Sequence, residues 1–172
     1  IASLDKNVFT LINPASYCAV NSFVFESGYY TQFFEAKSDS LLRSKDFQFP
    51  YLAFALPLMK KNDSAKMALS FGLMPESKLG YEGNTFGKAK WTDTPQRYKE
   101  KFAGSGGVNR FWIGASGSFL KNLWIGSNAN FLFGKQDMIH RIEFIDTPSW
   151  YGLLKTTSTI IQGFNFDFGY IY

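Results

Sequence analysis

The chain is poor in the residues from which most catalytic and metal centres are built. It holds one cysteine, Cys18, so an internal disulfide and a thiolate metal cluster are both excluded. It holds one histidine, His140, next to Arg141 and in no nucleophile motif. A solvated loop histidine is the expectation there, not a member of a Ser/His/Asp triad, and the chain is not expected to be an enzyme. Asp137, Glu143 and Asp146 lack the spacing of a ligand set, so neither a metal nor a cofactor is expected. No window approaches ~18 consecutive apolar residues, which excludes a membrane-spanning helix. The net charge is +4, yet the 18 Lys and Arg residues are scattered among turns and loops. Without a basic stripe, a nucleic-acid partner is not expected. There is also no initiating Met and no leader before Ile1-Ala2-Ser3, so the N-terminus is expected to be processed or incompletely represented.

What the chain has is aromatic side chains, 19 Phe and 9 Tyr, set in period-2 alternation. The clearest stretch is Ser105 to Gly134. In its first run Phe111, Ile113, Ala115 and Phe119 share one face, opposite Arg110, Trp112, Gly114, Ser116 and Ser118. After Leu120-Lys121-Asn122, Leu123, Ile125, Ala129, Phe131 and Phe133 fall together, opposite Trp124, Gly126, Asn128 and Asn130. Successive strand side chains point to opposite faces, so this reads as a β-hairpin with one greasy and one polar face. A soluble sandwich could carry the same alternation. Two features favour a transmembrane barrel: each run is long against the usual ~5–6 residues, and the polar face is Gly, Ser and Asn rather than Lys and Glu.

Further segments repeat the pattern. Residues 1–19, with the turn signature Asn13-Pro14-Ala15-Ser16, read as an irregular lead-in, and 20–172 as barrel strands. Strands are expected over about 20–36, 46–59, 65–83 and 154–172, besides the central hairpin. Pro50 and Pro57 interrupt the second of these, and Pro75 is expected to break or kink the third, because proline lacks the ladder N–H. Short turns at 60–64 and 120–122 alternate with longer loops at 37–45, 84–100 and 135–153, the parity of an up-and-down meander of six strands. About eight strands is the practical minimum for closure, so an N-terminal part of a longer barrel is expected.

The order Asn13-Pro14-Ala15-Ser16-Tyr17, Gly72-Leu73-Met74-Pro75-Glu76-Ser77 with Gly80-Tyr81, Gly104-Ser105-Gly106-Gly107-Val108-Asn109-Arg110 and Leu123 to Gly134 resembles the FadL/OmpP1/TodX family, most closely its Bacteroidota branch. That resemblance implies an all-β, antiparallel, 14-stranded outer-membrane barrel with an N-terminal plug, of which this chain supplies about six strands. It implies passive uptake of hydrophobic, fatty-acid-like molecules through the lumen and a lateral opening of the wall. Asn13, Pro14 and Ala15 would belong to the plug, and Gly72, Pro75 and Gly80 to a kink at the opening. Glu26, Arg110, Trp112, Trp124, Asn128 and Asp167 fall on the lumen face by phase. They would pack the plug against the wall, or Arg110 would meet an anionic head group while the two tryptophans line an apolar path. Membrane lipid, a hydrophobic ligand and outer-membrane proteins are the implied partners. The alternative is a non-transporting accessory subunit of a multi-protein outer-membrane complex.

Overall fold

A computed structural model describes residues 10–37, 41–61, 65–89, 95–120, 122–146 and 152–172. The expected turn residue Lys121 and most of the turn at 60–64 lie outside these, as do residues 1–9 of the lead-in. The described chain is a short 3-10 helix, Pro14–Ala19, followed by strands β1 (Val24–Ser27), β2 (Tyr30–Lys37), β3 (Leu41–Gln48), β4 (Leu52–Lys61), β5 (Ala65–Ala89), β6 (Gln96–Leu120), β7 (Leu123–Phe144) and β8 (Leu153–Ile171). An antiparallel six-stranded sheet has the order β1-β4-β5-β6-β7-β8, and β2 and β3 form a separate hairpin. The all-β expectation holds. The sheet is open, as six strands, too few to close, would be: among the described residues no ladder returns from β8 to β1. Among the described residues no helix is long and apolar enough to cross a membrane.

Several boundaries move. The strand expected over 20–36 divides at Gly28-Tyr29 into β1 and β2, which belong to different sheets. Pro50 falls in the matching gap between β3 and β4, where no ladder needs its missing N–H. β3 occupies the expected loop at 37–45, and β5, β6 and β7 run deep into the expected loops at 84–100 and 135–153. In β4 the register against β5 shifts between Pro57 and Met59, so that proline does disturb its ladder.

Pro75 does not break β5, which continues through it for 25 residues. The last β4–β5 pair is Leu52 with Leu73, so Pro75 lies past the end of β4. The parity of β5 against β6 also changes nearby. Ser70 and Gly72 meet Trp112, and Met74 meets Arg110, all even-numbered. Further along, Tyr81 lies over Gly104 and Gly87 meets Tyr98, odd against even. Because Pro75 lies past the end of β4, its missing N–H costs no bond of the β4–β5 ladder.

Contacts divide the chain into two compact units. Unit 1 is Ile1–Pro75, Arg110–Leu132 and Gly163–Tyr172; unit 2 is Glu76–Asn109 and Phe133–Gln162. In unit 1 one sheet face is covered by the Thr10–Val20 segment. Its core is Tyr17, Cys18, Val20, Ala53, Ala55, Ala68 and Trp112, with Val24, Met74 and Trp124 against it. The other face is apolar and, among the described residues, uncovered. Phe25, Phe54 and Phe71 run across it in ring contact at 4.9 and 4.8 Å, and Phe131 meets Phe164 at 4.9 Å. In unit 2 one face carries the ion pairs Lys101–Glu82, Lys135–Asp137 and Arg141–Glu143. On the other, Phe102 stacks on His140.

Candidate functional site: the covered face of unit 1

Asn13-Pro14 explains how the covering segment begins. The Asn13 side-chain oxygen accepts from the Ala15 N–H at 3.0 Å, capping the 3-10 helix, and Pro14 enters it with φ already suited to a helical turn. Ser16 Oγ donates to the Asn13 carbonyl at 2.8 Å, and Cys18 Sγ to the Ala15 carbonyl at 3.3 Å, so the turn satisfies its own polar groups. Every residue from Pro14 to Val20 is buried. The three expected plug residues are therefore together in one packed turn.

The sheet receives this segment where its side chains are smallest. At Gly126 a Cβ would come within 2.5 Å of the Pro14 carbonyl group, and at Gly169 it would strike the Asn13 side chain. Only glycine permits this approach of strand to turn. Beside these seats the covered face is polar. Asn128 Nδ2 donates to the Tyr17 hydroxyl at 3.0 Å, Asn130 Nδ2 to Asp167 at 2.8 Å, and the Trp112 indole N–H to Ser70 Oγ at 3.2 Å. Arg110 Nη2 reaches Met74 Sδ at 3.2 Å. Burial pushes the Tyr17 phenol above its ordinary range and the Asn128 bond partly opposes this, while the charges of Asp167 and Arg110 act on it in opposite senses. The Cys18 thiol is likewise raised by burial.

Alternation placed Arg110, Trp112, Trp124, Asn128 and Asp167 on one face, and the structure brings them to the side that the Thr10–Val20 segment covers. Glu26 stands on β1 opposite the buried Ala53, on the same side. Trp112 is 2 % exposed, filling the space above Gly72. The kink residues do not form a single site. Gly72 is buried under Trp112 in unit 1, Pro75 is exposed in β5, and Gly80 is open to solvent in unit 2. Sequence reasoning missed Tyr17, Ser70 and Asn130, which complete the polar network. Asn130 had the right phase, whereas Tyr17 sits in a segment without periodicity.

One further group bears on chemistry. His140 Nε2 lies 2.5 Å from Glu100 Oε1 and its ring stacks on Phe102, so it is a paired histidine on a strand and not a solvated loop residue. Among the described residues no group of three or more His, Cys, Asp or Glu is gathered to hold a metal ion.

Comparison with known proteins corrects the family. The family model that matches is BamG, across residues 2–172. No curated protein and no solved structure matches. The resemblance to FadL/OmpP1/TodX is thereby overturned, and with it the expectation of passive uptake through a lumen and a lateral opening, which rested on that resemblance. The motifs that carried it are short runs of Gly, Pro and Asn at strand ends and faces. Any long alternating sheet that seats a covering turn needs such residues, so they do not separate one family from another.

Proposed function

The chain belongs to the BamG family, and from that membership we propose that it is an accessory subunit of a BAM-like complex in the bacterial outer membrane. This is the alternative reading of the sequence, now preferred over a carrier. The match over residues 2–172 is the observation that carries it. In this reading the chain is not an enzyme and its partners are other outer-membrane proteins.

We further propose that the uncovered face of unit 1 meets lipid as part of a transmembrane β-wall, with Thr10–Val20 filling the opposite side as a plug would. Length supports this. On β7 the uncovered face runs Leu123, Ile125, Ser127, Ala129 and Phe131 within unit 1 without a charge. Nine residues at about 3.4 Å each, tilted near 45°, cover about 22 Å, close to the roughly 25 Å apolar band of an outer-membrane barrel. Composition supports it as well: Met67, Leu69, Phe71 and Leu73 on β5 and Phe164, Phe166, Phe168 and Tyr170 on β8 face the same way without a charge. Phe166 is 66 % exposed and Phe168 81 %, a cost in water that acyl chains remove at roughly 25 cal/mol per Å².

The test is affinity purification of the tagged full-length protein from its own outer membrane. Stoichiometric recovery with other outer-membrane proteins is expected, with fatty-acid uptake unchanged when the gene is deleted. Recovery as a lone species, together with slowed uptake of a labelled fatty acid on deletion, would overturn the subunit reading.

A further inference from the structure

The Thr10–Val20 segment is held at two ends by different parts of unit 1. Tyr17, Cys18 and Val20 are set among Ala53, Ala55, Ala68 and Trp112, on β4, β5 and β6. Asn13 and Pro14 instead lie on the pair β7–β8, against Gly126 and Gly169. Asn13 is the joint between the two. Its Nδ2 donates to the Tyr170 carbonyl of β8 at 3.3 Å, across 157 residues of sequence, while its Oδ1 caps the 3-10 helix at Ala15. Anchoring one end of a planar amide orients the other, so the bond to β8 pre-sets the cap from which the helix starts.

We propose that Thr10–Val20 is a strap that docks fully only when β8 is paired with β7, so that the first described element of unit 1 responds to the addition of its last strand. Before β8 is in place, Asn13 has neither its Tyr170 acceptor nor the Gly169 seat, and the cap that organises the turn loses its support. Linkage makes the effect mutual: whatever free energy β8 lends the strap, the strap lends β8. The coupling rests on contacts within unit 1 and is independent of the family reading, so either can fail alone.

Amide hydrogen exchange on the full-length protein in detergent micelles tests it. Asn13→Asp keeps a side-chain oxygen to cap Ala15 but removes the donor to Tyr170; Asn13→Ala removes both. The expected result is faster exchange over residues 15–20 in both variants, by about tenfold for loss of one hydrogen bond. A matching rise is expected over Gly163–Ile171, with none at the Phe54–Phe71 pairing of β4 and β5. If Asn13→Asp exchanges like the unaltered protein while Asn13→Ala does not, Asn13 acts only as a cap and the proposal fails. A uniform rise over the whole sheet also overturns it, since that marks general loosening rather than coupling.

Discussion

Tyr17 is where the covered face of unit 1 is most sensitive to a single atom. Its hydroxyl is the acceptor for the buried Asn128 amide, and burial raises its pKa. A phenol whose pKa is raised on folding contributes stability that is intact below the ordinary tyrosine range and lost as pH climbs through the raised value. Alkaline titration should therefore release the Thr10–Val20 strap, seen as phenolate absorbance appearing together with faster exchange at 15–20. Tyr17→Phe should abolish that alkaline transition, and should cost about 1–3 kcal/mol at neutral pH by leaving the Asn128 amide unpaired. Trp112 is a matter of volume instead. Replacement by Ala empties the space over Gly72 and removes the indole donor to Ser70, and denaturant unfolding should show a loss of about 3–5 kcal/mol. Trp112 and Asn128 were legible in the sequence because strand phase alone assigns their face. Tyr17 was not, because an irregular turn has no period from which to read one.

The elements show which signals mislead. Residues 84–100 looked like a loop because they are charged and hold Gly87 and Pro95, and 135–153 because of Pro148-Ser149-Trp150-Tyr151-Gly152, yet much of both is strand. Charges suit a strand when they pair across a face, as Lys101 does with Glu82 and Lys135 does with Asp137 within β7. The end of the β6–β7 pair is the clearest case. Arg97 donates through its backbone N–H, Nε and Nη2 to Asp146, and the Ile145 N–H returns to the Arg97 carbonyl at 2.9 Å. The Arg97 guanidinium holds the Asp146 carboxyl below the usual carboxylate range. The sign follows: a carboxylate with a lowered folded pKa stabilises above the ordinary range, and the contribution disappears as pH falls through the folded value. Fraying of residues 95–100 and 142–146 should thus increase below the ordinary carboxylate range. Asp146→Asn should show the same fraying already at neutral pH. Limited proteolysis across a pH series would reveal both, and a pH-independent cleavage rate at this end would refute the assignment. The pairing was invisible in sequence because it joins residues 49 positions apart whose register no local pattern supplies.

At the scale of the molecule, the alternation from which a membrane sheet was expected also limits what can be read. Period 2 assigns faces, so the aromatic surface and the Gly, Ser and Asn surface opposite it were both legible; the strand count already argued against closure, while the sheet order, with β2 and β3 set apart as their own hairpin, came only with the structure. What the uncovered face touches is a question that a single charge can answer. Ile113 on β6 is 54 % exposed, between Phe111 and Ala115 on the same face. If water met this face, Ile113→Arg would be near neutral, as exposed substitutions usually are, within about 0.5 kcal/mol. If acyl chains meet it, the guanidinium must be buried in hydrocarbon or drag water inward, at about 2–4 kcal/mol near the midplane. Ser105→Arg, on the same strand but beyond the apolar run, should cost little in either case. Folding equilibria of the full-length protein into phospholipid vesicles, titrated with urea, would separate the two. A large penalty at Ile113 with almost none at Ser105 is expected, and equal small effects would mean that the aromatic face is covered by protein or water instead of lipid.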